Sequence, residues 1–357
     1  MASSTTEVTL ELTPSTRFDL INVADRVDNR VSNLLSDYPR ALYCSYHTTA
    51  GYMDERICAE LNYSPSSLQQ FIKTFQELFP PNADYHHDQL HLRTELSELQ
   101  RKREPLNADS HLTFIGSGLE NCVSYRNHPE KPVFFIDLDG LGGKSGRRHR
   151  QTTVIGYSEE QTVHRTQLTI PVSDHPIDSV NIASPHLGVF DQLQDLIDHH
   201  NIEKGRIDIS LNAQEENAAL TVNEYETLLM QYDIPEVLRN PLRFMKEKGK
   251  SVLKNPRAVP HRALDYAKYD LVRVMNGLLD KFGMNESVIE RILDKFMSVP
   301  AARYLRMKRS VTLLVSDKDH SGHGTIVQGT YQSPILVQWD RPSDRQRTVD
   351  ITLSKFV

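Results

Sequence analysis

The sequence predicts an α+β protein built as two tandem units, each a β-sheet packed with helices, the second carrying a helical insertion. Three observations predict it. Short alternating apolar segments are interleaved with amphipathic ones. The 357 residues exceed one ordinary core. The order of segments in the first part then recurs with a period of about 160 residues, which marks a tandem duplication rather than a solenoid. The units are placed at 1–160 and 161–357, with the insertion at about 235–305.

In the first unit EVTLEL and RFDLINV alternate as strands, and ADRVDNRVSNLLSD spaces Val27, Val31, Leu34 and Leu35 for one helix face. RALYCSY reads as a strand, and SSLQQFIKTFQELF as a helix stopped by Pro80 and Pro81. SELQRKREPL is polar and has no assigned element. LTFIGSG and NCVSYRN are expected as a hairpin, PVFFIDLDG as a buried strand, and GGKSGRRHRQTTVIGY as a basic glycine-rich turn entering a strand.

The second unit repeats the order. QLTIPV answers EVTLEL, IDSVNI answers FDLINV, LGVFDQLQDLIDHH answers the first helix, and GRIDISL answers RALYCSY. NAALTVNEYETLLM falls where TAGYMDERICAEL fell. SVTLLVSD, GTIVQG, SPILVQW and RTVDITLSKF close the chain as strands.

Composition narrows the function. A net charge of −6 gives no general attraction to nucleic acid or acidic membranes, and no apolar run of membrane-spanning length occurs. The N-terminus MASSTTEVTLEL lacks a secretory pattern. Cys44, Cys58 and Cys122 have no metal spacing and fit a reducing cytoplasm. The basic run Arg243–Arg257 lacks interleaved aromatic residues and reads as a solvated linker. DLDG at Asp137–Gly140 is too short for a calcium loop, and SGHG at Ser321–Gly324 reads as a turn.

The histidines separate the units. His47 follows a strand in HTTAG, His87 lies in NADYHHD, and His111 in NADSHLTF. The second unit has Glu215 or Glu216, DYAKYD and ARYLR at the corresponding places. Loss from one copy suggests chemistry in the other. Three neutral imidazoles satisfy three positions of a tetrahedral zinc ion and leave one open, with Asp84 and Asp88 as supporting groups. A hydrogen-bonded structural role is the other reading of each histidine. The pattern predicts one strong divalent-metal site per chain. Arg147, Arg148 and Arg150 read either as a phosphate clamp or as a solvated hairpin. Arg148 and Arg150, two apart, share one strand face.

HTTA, NADYHHD and SHLTFIGSGLENCVSYRN, in this order, resemble the YjbQ-like family, known as the secondary thiamine-phosphate synthase family. The second unit resembles it through AALTVNE and through GTYQSPILVQWDRPSDRQRTVDI, with Gly329-Thr330-Tyr331-Gln332 and Arg345-x-Arg347. The first unit keeps the histidines but has KPVFFIDLDG where Gly-Thr-Trp-Gln is expected. The second keeps Gly-Thr-Tyr-Gln and lacks the histidines. Either the halves complement each other, or the old activity is gone.

The resemblance implies a metal-dependent enzyme acting on a phosphorylated small molecule, similar to thiamine-phosphate synthase. His47, His87 and His111 are expected as the catalytic, zinc-binding triad, with Thr48, Arg148, Arg150 and Gln332 as substrate or anion contacts. The resemblance also implies assembly as a homo-oligomer, a trimer of two-domain chains, without nucleic-acid or membrane partners. The alternative is a non-catalytic metal- or anion-binding protein whose second unit serves assembly.

Overall fold

The computed structural model of the chain describes residues 5–31, 34–94, 96–142, 146–225, 229–239, 307–318 and 321–357. EVTLEL lies in strand β1 (Thr5–Leu12), and FDLINV gives β2 (Asp19–Asn22) running into helix α1 (Val23–Arg30). Asn22 caps that helix by accepting a hydrogen bond from the Ala24 amide. The helix expected over 24–37 is divided. Val31 is extended (φ −132°, ψ 97°), and α2 (Leu34–Asp37) is a separate single turn. Strands β3 (Arg40–Ser45) and β4 (Ala50–Gly51) bracket the His47 turn, and α3 (Glu55–Glu60) follows.

Helix α4 (Pro65–Leu78) begins with a Ser64 cap and proline in its first turn, and it buries Leu68, Ile72, Phe75 and Leu78. The polar stretch before the third histidine forms α5 (Glu98–Arg103), nucleated by a capping box of Ser97 and Gln100. One expectation is overturned here. LTFIGSG is not a hairpin strand but the body of α6 (Ala108–Ser117), whose residues are all buried. A helix buried all round loses its amphipathic period, so a short apolar run reads equally well as a strand. Gly118 ends it in the left-handed region (φ 71°).

The half closes with β5 (Cys122–Arg126), β6 (Phe134–Asp137), β7 (Leu141–Gly142), β8 (Gly146–Arg147) and β9 (Arg150–Tyr157). The chain continues through β10 (Glu160–Pro171), β11 (Asp178–Asn181), α7 (Val189–His199), β12 (Lys204–Leu211), β13 (Ala218–Asn223) and α8 (Ile234–Arg239). It ends with β14 (Ser310–Ser316), β15 (Thr325–Val327), β16 (Ser333–Gln338) and β17 (Gln346–Phe356). Beyond Arg239 the expected insertion, with its basic run Arg243–Arg257, lies outside the described residues.

The fold is α+β, and its sheets repeat. The first half orders its strands β1-β9-β3-β5 beside a small sheet β2-β6-β4. The second orders them β10-β17-β12-β14-β15 beside β11-β16-β13. In each half the closing strand inserts between the first and third strands, all antiparallel. Asp137 pairs with Asp19 and Ala50, as Gln338 pairs with Asp178 and Ala218. That register sets His47, three residues before Ala50, level with Glu215, three before Ala218.

The halves share apolar clusters. Leu42, Ile155 and Tyr157 pack with Leu314, Val327 and Phe356, and the Tyr157 and Phe356 rings stack at 4.1 Å. Phe75, Leu78 and Leu112 pack with Leu229, Ile234 and Ile335. At the rim Lys308 pairs with Glu120 at 2.7 Å. Gly329 lies against the backbone of Tyr46, and a Cβ there would sit 2.0 Å from the Tyr46 carbonyl oxygen. Gly329→Ala is therefore expected to push the halves apart locally and cost about 1–3 kcal/mol, measured by urea denaturation. An unchanged urea midpoint would contradict this close approach.

Candidate functional site

The turn after Tyr85 and the first turn of α6 are built around Asp88. Its Oδ1 accepts the amides of Asn107 (3.1 Å) and Ala108 (3.0 Å), taking the place of a side-chain cap from Asn107 itself. The same oxygen accepts from His87 Nδ1 at 3.0 Å. One carboxylate thus fixes the start of α6, which carries His111, and the ring of His87. The two imidazoles stand 5.1 Å apart, centroid to centroid, and both are buried.

The second half completes the site. Strand β13 ends at Asn223, whose Oδ1 accepts from His111 Nδ1 at 2.8 Å and whose Nδ2 donates to the Thr48 carbonyl at 3.2 Å. The next residue, Glu224, places its carboxylate 3.9 Å from His87 Nε2 and 3.8 Å from His111 Nε2. One donor atom from each of His87, His111 and Glu224 lies within 4.8 Å of the others. Both Nδ1 atoms are held by neighbouring acceptors and both Nε2 atoms face the carboxylate. That is the arrangement expected of imidazoles oriented as metal ligands.

Electrostatics fit the grouping. Burial pulls the His87 pKa down, but hydrogen bonds and charge from Asp88 and Glu224 outweigh it and raise it to about 9. Burial lowers that of His111 and keeps its imidazole neutral. Burial also pushes the Glu224 carboxyl up, yet His111, His87 and Arg93 together bring it down to about 2. Arg93 Nη1 stands 3.5 Å from His87 Nε2 and pairs with Glu104 at 3.0 Å.

His47 does not join this group. Its Nε2 accepts the Gln151 amide at 2.8 Å, and burial, aided by Arg150 and Arg148, lowers its pKa to about 3. The second half has the same device: Glu215 Oε1 accepts the Thr348 amide at 2.7 Å. An imidazole acceptor in one half is a carboxylate acceptor in the other. The side chain of His47 is thus held as the acceptor of a backbone amide, and Glu224 is the group that lies beside His87 and His111.

The expected anion contacts divide similarly. Arg150 is buried and grips Asp137 with two parallel bonds, Nε to Oδ2 (2.7 Å) and Nη2 to Oδ1 (2.8 Å). Gln332 donates to the carbonyls of Ser45 (2.9 Å) and His47 (3.0 Å), and its Oε1 accepts the Gly329 amide. Both side chains are engaged within the protein, and Arg150, like His47, also lines the cleft described next. Thr48 Oγ1 touches Glu224 at 3.3 Å. Arg148 pairs with Asp139 through Nη2, while its buried Nε has no hydrogen-bond partner. A cleft of about 680 Å³ is lined by Thr48, Arg93, Arg147, Arg148 and Glu224, with Tyr331 among its other residues.

Asp84 accepts from Gln89 at 3.3 Å. The cysteines are free and buried, and burial pushes the Cys58 thiol up to about 11, unsuited to a nucleophile. Asp317 accepts the amides of Ser321 (2.9 Å) and Gly322 (2.7 Å), so SGHG is a side-chain-capped turn. Among the described residues no helix is long and apolar enough to cross a membrane.

No protein-family model matches the sequence, and no curated protein matches it. Among solved structures, the chain is similar to a YbjQ-like protein of unknown function from Sulfolobus solfataricus P2. The identity is 16%, over 55% of this chain and 99% of that one, with a TM-score of 0.29. It is similar to a hypothetical protein from Aeropyrum pernix K1 at 16% identity, over 54% and 98% of the two chains, TM-score 0.28. An uncharacterized protein of the yjbq/upf0047 family from Clostridium acetobutylicum is 14% identical over 53% and 98%, TM-score 0.28.

Proposed function

We propose that the chain is two diverged tandem copies of a YjbQ-like domain sharing one active site, which binds a divalent metal and acts on a phosphorylated small molecule. The observation that carries this reading is the convergence of His87, His111 and Glu224, drawn from both halves, with Glu224 also lining the cleft that contains Arg148. Two imidazole nitrogens and one carboxylate suit zinc, with Asp88 and Asn223 orienting the rings. A divalent cation held there supplies positive charge beside an oxygen of the substrate.

The chain's own groups supply the rest. In a reaction similar to thiamine-phosphate synthesis, a ring nitrogen attacks a methylene as diphosphate departs, and negative charge grows on the leaving oxygens. Arg147 and Arg148 line the cleft where such an anion would sit and would supply positive charge to it. Turnover of the two thiamine precursors tests the enzymatic reading. Metal and phosphate binding without turnover would favour the non-catalytic alternative. The reach of Asn223 and Glu224 into the site argues against a second half that serves assembly alone. A trimer of chains remains our expectation for assembly, checked by mass in solution; a strict monomer at micromolar concentration would sink it.

Arg148→Ala is expected to weaken inorganic phosphate binding by about ten- to a hundredfold, the equivalent of one or two charge-assisted hydrogen bonds at about 1.5–3 kcal/mol, with metal content intact. Arg148→Lys should recover only part of it. Calorimetry with phosphate measures this, and an unchanged affinity would return the arginines to a solvated hairpin.

A further inference from the structure

We propose that a second cleft, between α1 and the segment after β5, binds a small zwitterion of the amino-acid class. Its ammonium would sit at Asp28 and Tyr43, and its anionic group at Arg126 and Lys131. The cleft has a volume of about 810 Å³, and all its lining residues belong to the first half. It shares none of them with the cleft beside Glu224. Its walls are tied to each other. Asn127 donates through its amide to the Pro39 carbonyl at 3.0 Å and through Nδ2 to the Tyr38 carbonyl at 2.8 Å. The Val23 amide donates to the Val133 carbonyl at 2.9 Å. These backbone ties pre-form the space, as is usual for a small-molecule site.

Both signs of charge line the cleft. Asp25 and Asp28, three apart on α1, and Asp37, the last residue of α2, supply carboxylates, and Arg126 and Lys131 supply cations. Among the described residues none of these three carboxylates is in an ion pair or a hydrogen bond. Exposed acids are often unpaired, so they alone point to nothing. Tyr43 is the independent observation. It is 1% exposed, with its ring packed against those of Tyr52 (5.6 Å) and Tyr125 (5.8 Å), yet it lines the cleft. Among the described residues its hydroxyl has no hydrogen-bond partner, whereas a buried tyrosine hydroxyl normally finds one. Burial, with the charge of Asp28 added, pushes its pKa up and keeps the hydroxyl protonated. Its oxygen can accept from an ammonium whose charge Asp28 balances. Lys131 Nζ lies over the Tyr63 ring, 5.3 Å from its centre, and has no carboxylate partner among the described residues. A simple cation would meet Arg126 and Lys131, and a simple anion would meet three carboxylates. A ligand carrying both charges satisfies all five groups.

This cleft lies beyond the proposed function and does not depend on it. The test uses the full chain and a series of ω-amino acids from glycine to aminohexanoate, with hexylamine and hexanoate as singly charged controls. Calorimetry and saturation-transfer NMR measure binding. At least one member of the series is expected to bind about tenfold more tightly than either control, the equivalent of one further charge-assisted hydrogen bond. The near-isosteric Tyr43→Phe should weaken that member about two- to tenfold, and Asp28→Asn about tenfold or more. Circular dichroism checks that both variants fold. The double variant His87→Ala, His111→Ala should bind it as the parent does, whatever happens to zinc. A series in which no member exceeds the controls overturns the proposal. So does parent affinity in either Tyr43→Phe or Asp28→Asn, or loss of binding in the histidine double variant, which would seat the probe at the other cleft.

Discussion

Replacing Arg150 with alanine is expected to destabilise the chain by about 3–5 kcal/mol, read as a lower urea midpoint at unchanged slope. The cause is what is left behind. Asp137 is fully buried and its two oxygens lie against the guanidinium of Arg150, so removing the partner strands a carboxylate away from water. The same guanidinium donates to the Asp139 carbonyl at 2.9 Å and to Thr49 at 3.3 Å, tying the start of β9 to the loop after β6. Arg150→Lys keeps the charge and loses the two-pronged geometry, so its cost should be smaller. A loss below about 1 kcal/mol in the alanine variant would mean that Asp137 finds other partners or takes up a proton.

The second large effect is expected at Glu224. Glu224→Gln removes the carboxylate that both Nε2 atoms face, and zinc affinity at the proposed first site should fall on the order of a hundredfold or more. The metal-free protein should show the same residue through pH. His87 is raised in the fold from its ordinary 6.5 to about 9. Its stabilising contribution is therefore complete below pH 6.5 and is lost as pH rises through about 9, to a total on the order of 3 kcal/mol. Without the Glu224 charge, that loss should still begin near pH 6.5 but end at lower pH and be smaller. Metal binding must displace the His87 proton, so zinc affinity of the parent should increase with pH up to about 9. Urea midpoints and zinc titrations across pH 6–10 measure both trends. A pH-independent stability difference between parent and variant would show that Glu224 does not face a protonated His87.

Strand and helix alternation was legible because most elements bury one face: β12 alternates buried and half-buried residues along its length, and α7 buries Val189, Leu193 and Ile197. Helix α6 was misread because it buries every residue and carries no period. At the site, His87 and His111 stand out in the sequence as residues present in the first half and lacking at the corresponding places of the second. The same comparison does not tell His47 from an acceptor of a backbone amide. A hydrogen-bond acceptor is conserved in function between His47 and Glu215 while its chemistry changes, so absence of the imidazole says nothing about catalysis. Glu224 was visible only as the end of AALTVNE. Its signal was an acid directly after a strand buried throughout, a place where a charge needs a partner that the sequence cannot name. Arg150 and Arg148 look alike in sequence and both line the cleft, and only the positions of Asp137 and Asp139 separate the fully buried, two-pronged pair of Arg150 from the partly exposed pair of Arg148.

The three groups proposed for the first site come from both halves of one polypeptide, with only Ser158 and Glu159 between β9 and β10. Those two residues are themselves held by Val357, whose carbonyl accepts both their amides and whose amide returns a bond to Glu159 at 2.9 Å. A site assembled from separate subunits comes apart on dilution, because meeting is a second-order event. Here the two contributors meet at an effective concentration set by a short tether, which is independent of how much protein a cell makes. Cutting the chain between Ser158 and Glu159 would restore the concentration dependence, and occupancy of the site would then fall with dilution.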